Sequence, residues 1–269
     1  MSSHEERVRH VVLKIERARE HVARLHEHLR AFLATTPYKV AARRDELSRK
    51  PIYFVAAVEP VPDVIPLVAG DALQNLMTAL DHLAYQLVCK DTNDRPPNPN
   101  WIYFPIADDQ EKYDAKKSGK MAGAGSTTIA AIDALKPYRG GDDILWALYR
   151  LNNIEKHRLL LTVGSQAGGI HLGQLLAAHL PPEFSSEASK ILQGMTHFLM
   201  PADKGFPLTP GFELYIGGQD EPINPSLQFR FEVVLNEPGI AEGKAVSSAV
   251  LEVAERVEAV AKALTPLFQ

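Results

Sequence analysis

Cysteine is almost missing from this sequence: Cys89 is alone among 269 residues. That excludes an internal disulfide and suits a reducing compartment, so the protein is expected in the cytoplasm. No apolar run approaches the roughly 18 residues that span a bilayer, and residues 4–30 are charged throughout. Neither a membrane helix nor a secretory leader is expected. The standard phosphate loops are also missing. The glycine-rich stretch 119–128, GKMAGAGSTT, has no lysine after its last glycine, and no GxGxxG follows a strand. A GxSxG elbow is absent. Residues 91–100, DTNDRPPNPN, lack the alternating acids and late glutamate of a calcium loop. Neither HEERVRH nor HEHLR has the HExxH spacing, so His10, His21, His26 and His28 are expected to be solvated rather than zinc ligands. Cys89 falls near a helix C-terminus, where the dipole opposes a thiolate nucleophile. No cofactor and no metal are expected.

What is present is an ordinary globular composition, 45% hydrophobic and 23% charged, with a lopsided charge distribution. Residues 1–50 carry 12 Lys/Arg against 7 Asp/Glu, a net +5, and five of the ten histidines; the remaining 219 residues carry −9. A basic first segment suits either an anionic partner such as RNA or a solvated helix face.

Periodicity sets the architecture. In residues 3–34, Val8, Val11, Ile15, Ala18, Val22, Leu25, Leu29 and Phe32 alternate steps of three and four, a heptad seam that Pro37 ends. A second helix over residues 64–90 has Leu73, Leu76, Leu80, Leu83 and Leu87 as its stripe. Its far side carries Asp71, Asn75, Thr78 and His82, with Asp81 at the edge. A closing helix over 244–267 repeats the seam through Val246, Val250, Val253, Val257, Val260, Leu264 and Leu267. The two seams pack on each other or zip across a homodimer. Strand-like alternation occupies 38–60, as a hairpin with a polar turn near Leu47 to Lys50, and 212–235. Residues 101–107 read as a short buried extended segment, 129–135 as a short helix and 186–198 as another. The expected fold is therefore a predominantly helical α+β single domain, a long-helix bundle with a small antiparallel sheet packed on it.

The stretch 142–161, DDILWALYRLNNIEKHRLLL, carries the candidate chemistry. Read as one helix, it lines up Trp146, Arg150, Asn153 and His157 opposite Ile144, Leu148 and Leu151. The apolar run after His157 extends the helix or opens a strand, and periodicity does not decide between them. Arg150 to Asn153 and Asn153 to His157 are i,i+3 and i,i+4 steps, about 5–6 Å apart, so the three converge on one group. Arginine grips phosphate oxygens bidentately. Histidine moves a proton near neutral pH, and asparagine orients either. The structural alternative pairs Arg150 with a neighbouring carboxylate, for instance Asp81, and places His157 in a buried network.

The segment LYRLNNIEKHR resembles the Arg-x(4–6)-His signature of the HEPN superfamily. Together with GDALQNLMTALDHLAYQLV it is also similar to an uncharacterised bacterial group. The resemblance implies a helical bundle and, in many members, a metal-independent, dimeric ribonuclease. On it, Arg150 and His157 are the catalytic pair and Asn153 a supporting residue. It covers two helices, and the signature sits centrally here rather than late in the chain. The expected function is thus an RNA-directed, HEPN-like protein, with Asp81, His82, Asn75 and Trp146 supporting the site. The alternative is a non-catalytic scaffold or small-ligand-binding protein whose polar set fixes helix register.

Overall fold

The computed structural model describes residues 4–170 and 205–268. The elements are α1 (His4–Ala34), β1 (Tyr38–Arg44), β2 (Pro51–Val58), α2 (Val64–Asp91), α3 (Gln110–Lys120), α4 (Ser126–Leu135) and α5 (Asp143–Glu155). They continue with β3 (Thr162–Ile170), β4 (Glu213–Ile216), β5 (Phe229–Leu235) and α6 (Val246–Leu264). Short 3₁₀ turns cover Pro99–Trp101 and Thr265–Phe268. The class is α+β and mostly helical. The chain groups into two compact units, one of residues 1–28, 63–161 and 237–269, the other of residues 29–62 and 162–236. The helix expected over 186–198 lies outside the described residues.

The first unit is built around α2. Ile65, Ala69, Ala72, Leu73, Leu76, Ala79, Leu80, Leu83, Ala84, Leu87 and Val88 are all fully buried. A helix apolar around most of its circumference has to be enclosed by neighbours. α5 and α6 pack on it. α1 lies antiparallel to it, with Arg7 donating to Gln86 and Lys14 to Asn75. Both terminal seams bury their apolar rows within the chain: Val11, Ile15, Ala18, Val22 and Leu25 on α1, Val246 through Leu264 on α6. Arg19 and Glu258 join the two helices by an ion pair.

α3 has no counterpart in the sequence reading, because its only buried residue is Tyr113. It starts where the Asp109 carboxylate accepts from the Lys112 amide, a side-chain cap at a helix start. Before it, Ile102 and Phe104 are buried while Trp101 and Tyr103 stand 73% and 47% exposed, the alternation of an extended segment.

The second unit holds two antiparallel sheets rather than one. β1, β2 and β4 form a three-stranded sheet in the order β1-β2-β4, and β3 pairs with β5. β3 settles the run after His157 in favour of a strand from Thr162. Tyr38 is buried between Phe32 and Phe231, at 6.1 and 5.1 Å between ring centroids. A Cβ on Gly164 would lie 2.5 Å from the Tyr38 ring and hydroxyl. Only glycine leaves room for that phenol, whose pKa burial pushes up to about 12.

Two substitutions test this packing. Leu80→Ala removes a fully buried side chain from α2 and should lower stability by roughly 2–5 kcal/mol in urea unfolding. Gly164→Ala should also destabilise, with the loss registered as an altered near-ultraviolet tyrosine signal from the second unit. A neutral result at Gly164 would contradict the close approach of Tyr38.

Candidate functional site

Residues 142–161 do not form one helix. α5 ends at Glu155, and the next residues make a turn in which the His157 amide donates to the Ile154 carbonyl at 2.9 Å. The cause lies 79 residues away. Arg158 grips Glu237 with both Nη atoms at 2.9 and 2.8 Å, and the Leu161 amide donates to the same carboxylate at 2.8 Å. Glu237 is 1% exposed, and a buried carboxylate needs this full set of donors. The chain leaves its helix to supply them.

The expected row of groups is therefore not carried on one helix from end to end. Asn153 stays on α5, half-buried, whereas His157 sits exposed beyond the helix end. The His157 and Arg158 amides both donate to the Ile154 carbonyl, at 2.9 and 3.0 Å. Arg150 donates to Asp108 Oδ1 at 3.2 Å, the atom that also accepts from Trp146 Nε1 at 3.4 Å. Lys112 approaches the other oxygen of Asp108 at 3.7 Å. Trp146 is buried, not part of an open polar face, and the Arg139 guanidinium lies 4.8 Å above its ring. So the carboxylate that matches Arg150 is Asp108, not Asp81. The buried amide on α5 is Asn152, whose Oδ1 has no partner. It follows Leu145 and Leu148 at helical spacing, a signal present in the sequence.

Asp81 belongs to the interior. Its carboxylate accepts from the Phe104 amide at 3.0 Å, and burial pushes its pKa up to about 6 against the pull of Lys120 and Lys156. Lys120 is held by the Ile106 carbonyl at 3.1 Å and lies over the Tyr149 ring. Burial lowers its pKa. Cys89 is buried too, and burial raises its thiol pKa, so it is poorly suited to nucleophilic work.

The remaining two supporting residues, Asn75 and His82, meet α1. With His10, Leu13, Lys14 and Arg17 they line a groove of about 360 Å³. Lys14 Nζ donates to Asn75 Oδ1 at 3.3 Å, and Asn75 Nδ2 donates to the Asp71 carbonyl at 2.8 Å. The imidazoles of His10 and His82 lie with centroids 6.2 Å apart, tilted 60° to one another. No carboxylate is among the residues lining the groove; Glu20 pairs with Arg17 at 2.6 Å, and Asp71 lies 3.9 Å from His21. His21 is buried rather than solvated, and its pKa falls, chiefly through desolvation. Its neighbours Ala18, Val22 and Leu25 draw that side of α1 onto the core. His10 is exposed yet rests against His82, a pairing that no local spacing could announce.

Among the described residues no group of three or more His, Cys, Asp or Glu side chains is placed to hold a metal ion. Comparison with family models, curated proteins and solved structures finds no match for the chain.

The Asp81 environment makes a pH prediction. A carboxyl whose folded pKa lies above its unfolded value of about 4 retains its proton longer when folded. Stability should therefore fall as pH rises from about 4 to about 6 and stay lower above that. Asp81→Asn keeps an acceptor for the Phe104 amide and should gain on the order of 2 kcal/mol over wild type at pH 7, the gap vanishing toward pH 4. Parallel denaturation curves across that range would show whether the gap opens as stated.

Proposed function

We propose that the protein is RNA-directed and that the α1–α2 groove, rather than the Arg150–His157 set, holds the phosphate backbone. The observation that carries this reading is the groove lining: Lys14, Arg17, two imidazoles and an amide, with no carboxylate. A cationic concavity recognises phosphate before it recognises sequence. Lys14 spends one donor on Asn75, and an ammonium has three. The +5 balance of residues 1–50 adds long-range attraction for a polyanion. RNA is named among polyanions because LYRLNNIEKHR resembles the HEPN signature. A homodimeric state and a cytoplasmic location belong to the same reading and rest on that resemblance and on the solitary cysteine.

The second reading, a non-catalytic helical scaffold, is favoured by one observation of its own. Asp81, Phe104, Lys120 and Tyr149 form a half-sealed polar network in which every partner is a structural one. That set is assigned to architecture, and the two readings divide the polar residues of α2 between them.

Binding of a fluorescent single-stranded RNA, followed by anisotropy in chelator, tests the first reading. The double variant Lys14→Glu/Arg17→Glu should bind at least about tenfold more weakly. Its slope of log affinity against log salt should be shallower by about one per lost phosphate contact. Arg150→Ala should bind as wild type does. Equal affinity of the charge-reversed variant and wild type would remove the groove from the account.

A further inference from the structure

We infer that the outer edge of β1 is a docking site for an extended acidic peptide of a partner protein, which adds to the three-stranded sheet as a further strand. The site lies in the second unit and does not depend on what the α1–α2 groove binds. β1 is the end strand of the order β1-β2-β4. On β2, the Val55 amide donates to the Phe212 carbonyl at 2.9 Å, and the Val55 carbonyl accepts from the Gly211 amide at 2.7 Å. The Pro51 carbonyl accepts from the Gly217 amide at 2.9 Å. Val55 and Pro51 thus spend their backbone groups on the β4 side. Across the ladder from them stand Val40 and Arg44, and Ala42, opposite Tyr53, falls in the same alternate set. Residues of such an antiparallel pair turn their backbone groups away from each other. The amides and carbonyls of Val40, Ala42 and Arg44 therefore face outward, and among the described residues none of them has a hydrogen-bond partner.

Beside this edge lies a pocket already formed. Val40, Ala42 and Tyr53 share one face of the sheet. With Ile223, Pro225 and Leu227 they line a pocket of about 310 Å³ that has no charged side chain in its lining. Its two walls are pinned together. The Asn224 amide donates to Tyr53 Oη at 2.6 Å, and the Tyr53 hydroxyl lies 3.3 Å from the Asn224 carbonyl oxygen. Val40 and Ile223 are left 37% and 38% exposed. A strand laid along β1 would place every second side chain on the pocket face. Backbone groups that give affinity, next to a pocket that selects alternate side chains, are what strand addition uses.

Charge decides between occupants. β1 carries Lys39, Arg43 and Arg44, all exposed, and no acid. The Lys39 ammonium donates to the Thr36 hydroxyl at 2.9 Å and has no carboxylate partner among the described residues. Arg43 meets Glu213 at 3.3 Å, an exposed pair that contributes little. A second copy paired antiparallel about Ala41 would set Lys39 against Arg43 of the other copy, and like charges directly opposite destabilise a sheet. Basic side chains on an edge keep copies of the chain apart and favour an acidic strand. Phosphate groups would meet the cations but donate nothing to the outward carbonyls and fill no apolar pocket. The occupant that uses every feature reads acidic, apolar, neutral, apolar, acidic. Its acids face Arg43 and Lys39, and its apolar residues lie on the pocket face.

The probe is a fluorescein-labelled peptide, Glu-Val-Thr-Val-Glu flanked by serines, titrated into the full chain and read by anisotropy. It should bind saturably, and hydrogen exchange at the Val40 and Ala42 amides should slow when it does. The same peptide N-methylated at both valines keeps its side chains and charge but loses the donors aimed at the edge. It should bind at least about tenfold more weakly. Ala42→Pro removes one outward amide at a place where an edge strand accepts proline, and it should weaken binding by a similar factor, as should Lys39→Glu/Arg43→Glu. Circular dichroism checks the fold of Ala42→Pro, and the N-methylated peptide carries the test if that variant unfolds. No saturable binding up to about 1 mM, or equal affinity for the N-methylated peptide, would overturn the site. Single-stranded RNA that displaces the labelled peptide as well as unlabelled peptide does would give the edge to a polyanion instead. A dimer of the full chain that Ala42→Pro dissociates would give it to a second copy, and either result overturns the inference.

Discussion

The enclosure of α2 is the constraint on which the first unit depends. A helix with so many fully buried residues cannot stand at a surface, and each neighbour is positioned by the need to cover one side of it. Close approach makes this possible. At Gly70 the absent side chain leaves space for Glu155, whose carboxyl would lie 2.4 Å from an added Cβ. That carboxyl is pushed above its usual range by the same burial. The polar residues of α2 are therefore forced into two surroundings: a half-buried site under the Phe104 amide for Asp81, and the α1 seam for Asp71, Asn75 and His82.

The α1 seam differs from the interior because α1 is itself amphipathic. Its apolar row reaches the core, and the residues flanking that row meet the flank of α2. In the antiparallel pairing, Arg7 meets Gln86, His10 meets His82, Lys14 meets Asn75 and His21 meets Asp71. The sum of each pair of numbers is nearly constant, as two helices running in opposite directions require. A run of polar pairs fixes the register of the two helices. It also leaves cations and imidazoles concentrated along one line, with few acids opposite.

The long elements were readable in the sequence because their signals are local and repeated. The heptad rows of α1 and α6 and the leucine stripe of α2 each return several times within one segment. The end of α5 was not readable for the opposite reason: Lys156, His157 and Arg158 contain no helix breaker, and the stop is imposed by Glu237 from far along the chain. α3 escaped because its exposed faces are polar and only Tyr113 packs inward. β3 was obscured by its glycines. Of the site, Asn75 and His82 stood out as polar residues on an apolar helix, whereas His10, Lys14 and Arg17 looked like ordinary solvated positions. Which residue faces which across two helices is decided by packing, and one strand of sequence does not carry that information.

The two tryptophans occupy opposite extremes of this structure. Trp101 is nearly naked on the segment ahead of α3, while Trp146 is shut in beneath the Arg139 guanidinium. Their emission should thus separate into a red-shifted, iodide-quenchable component and a blue, shielded one. The protein comes with two optical reporters already installed in its first unit, one sensing its outer surface and one the integrity of its interior.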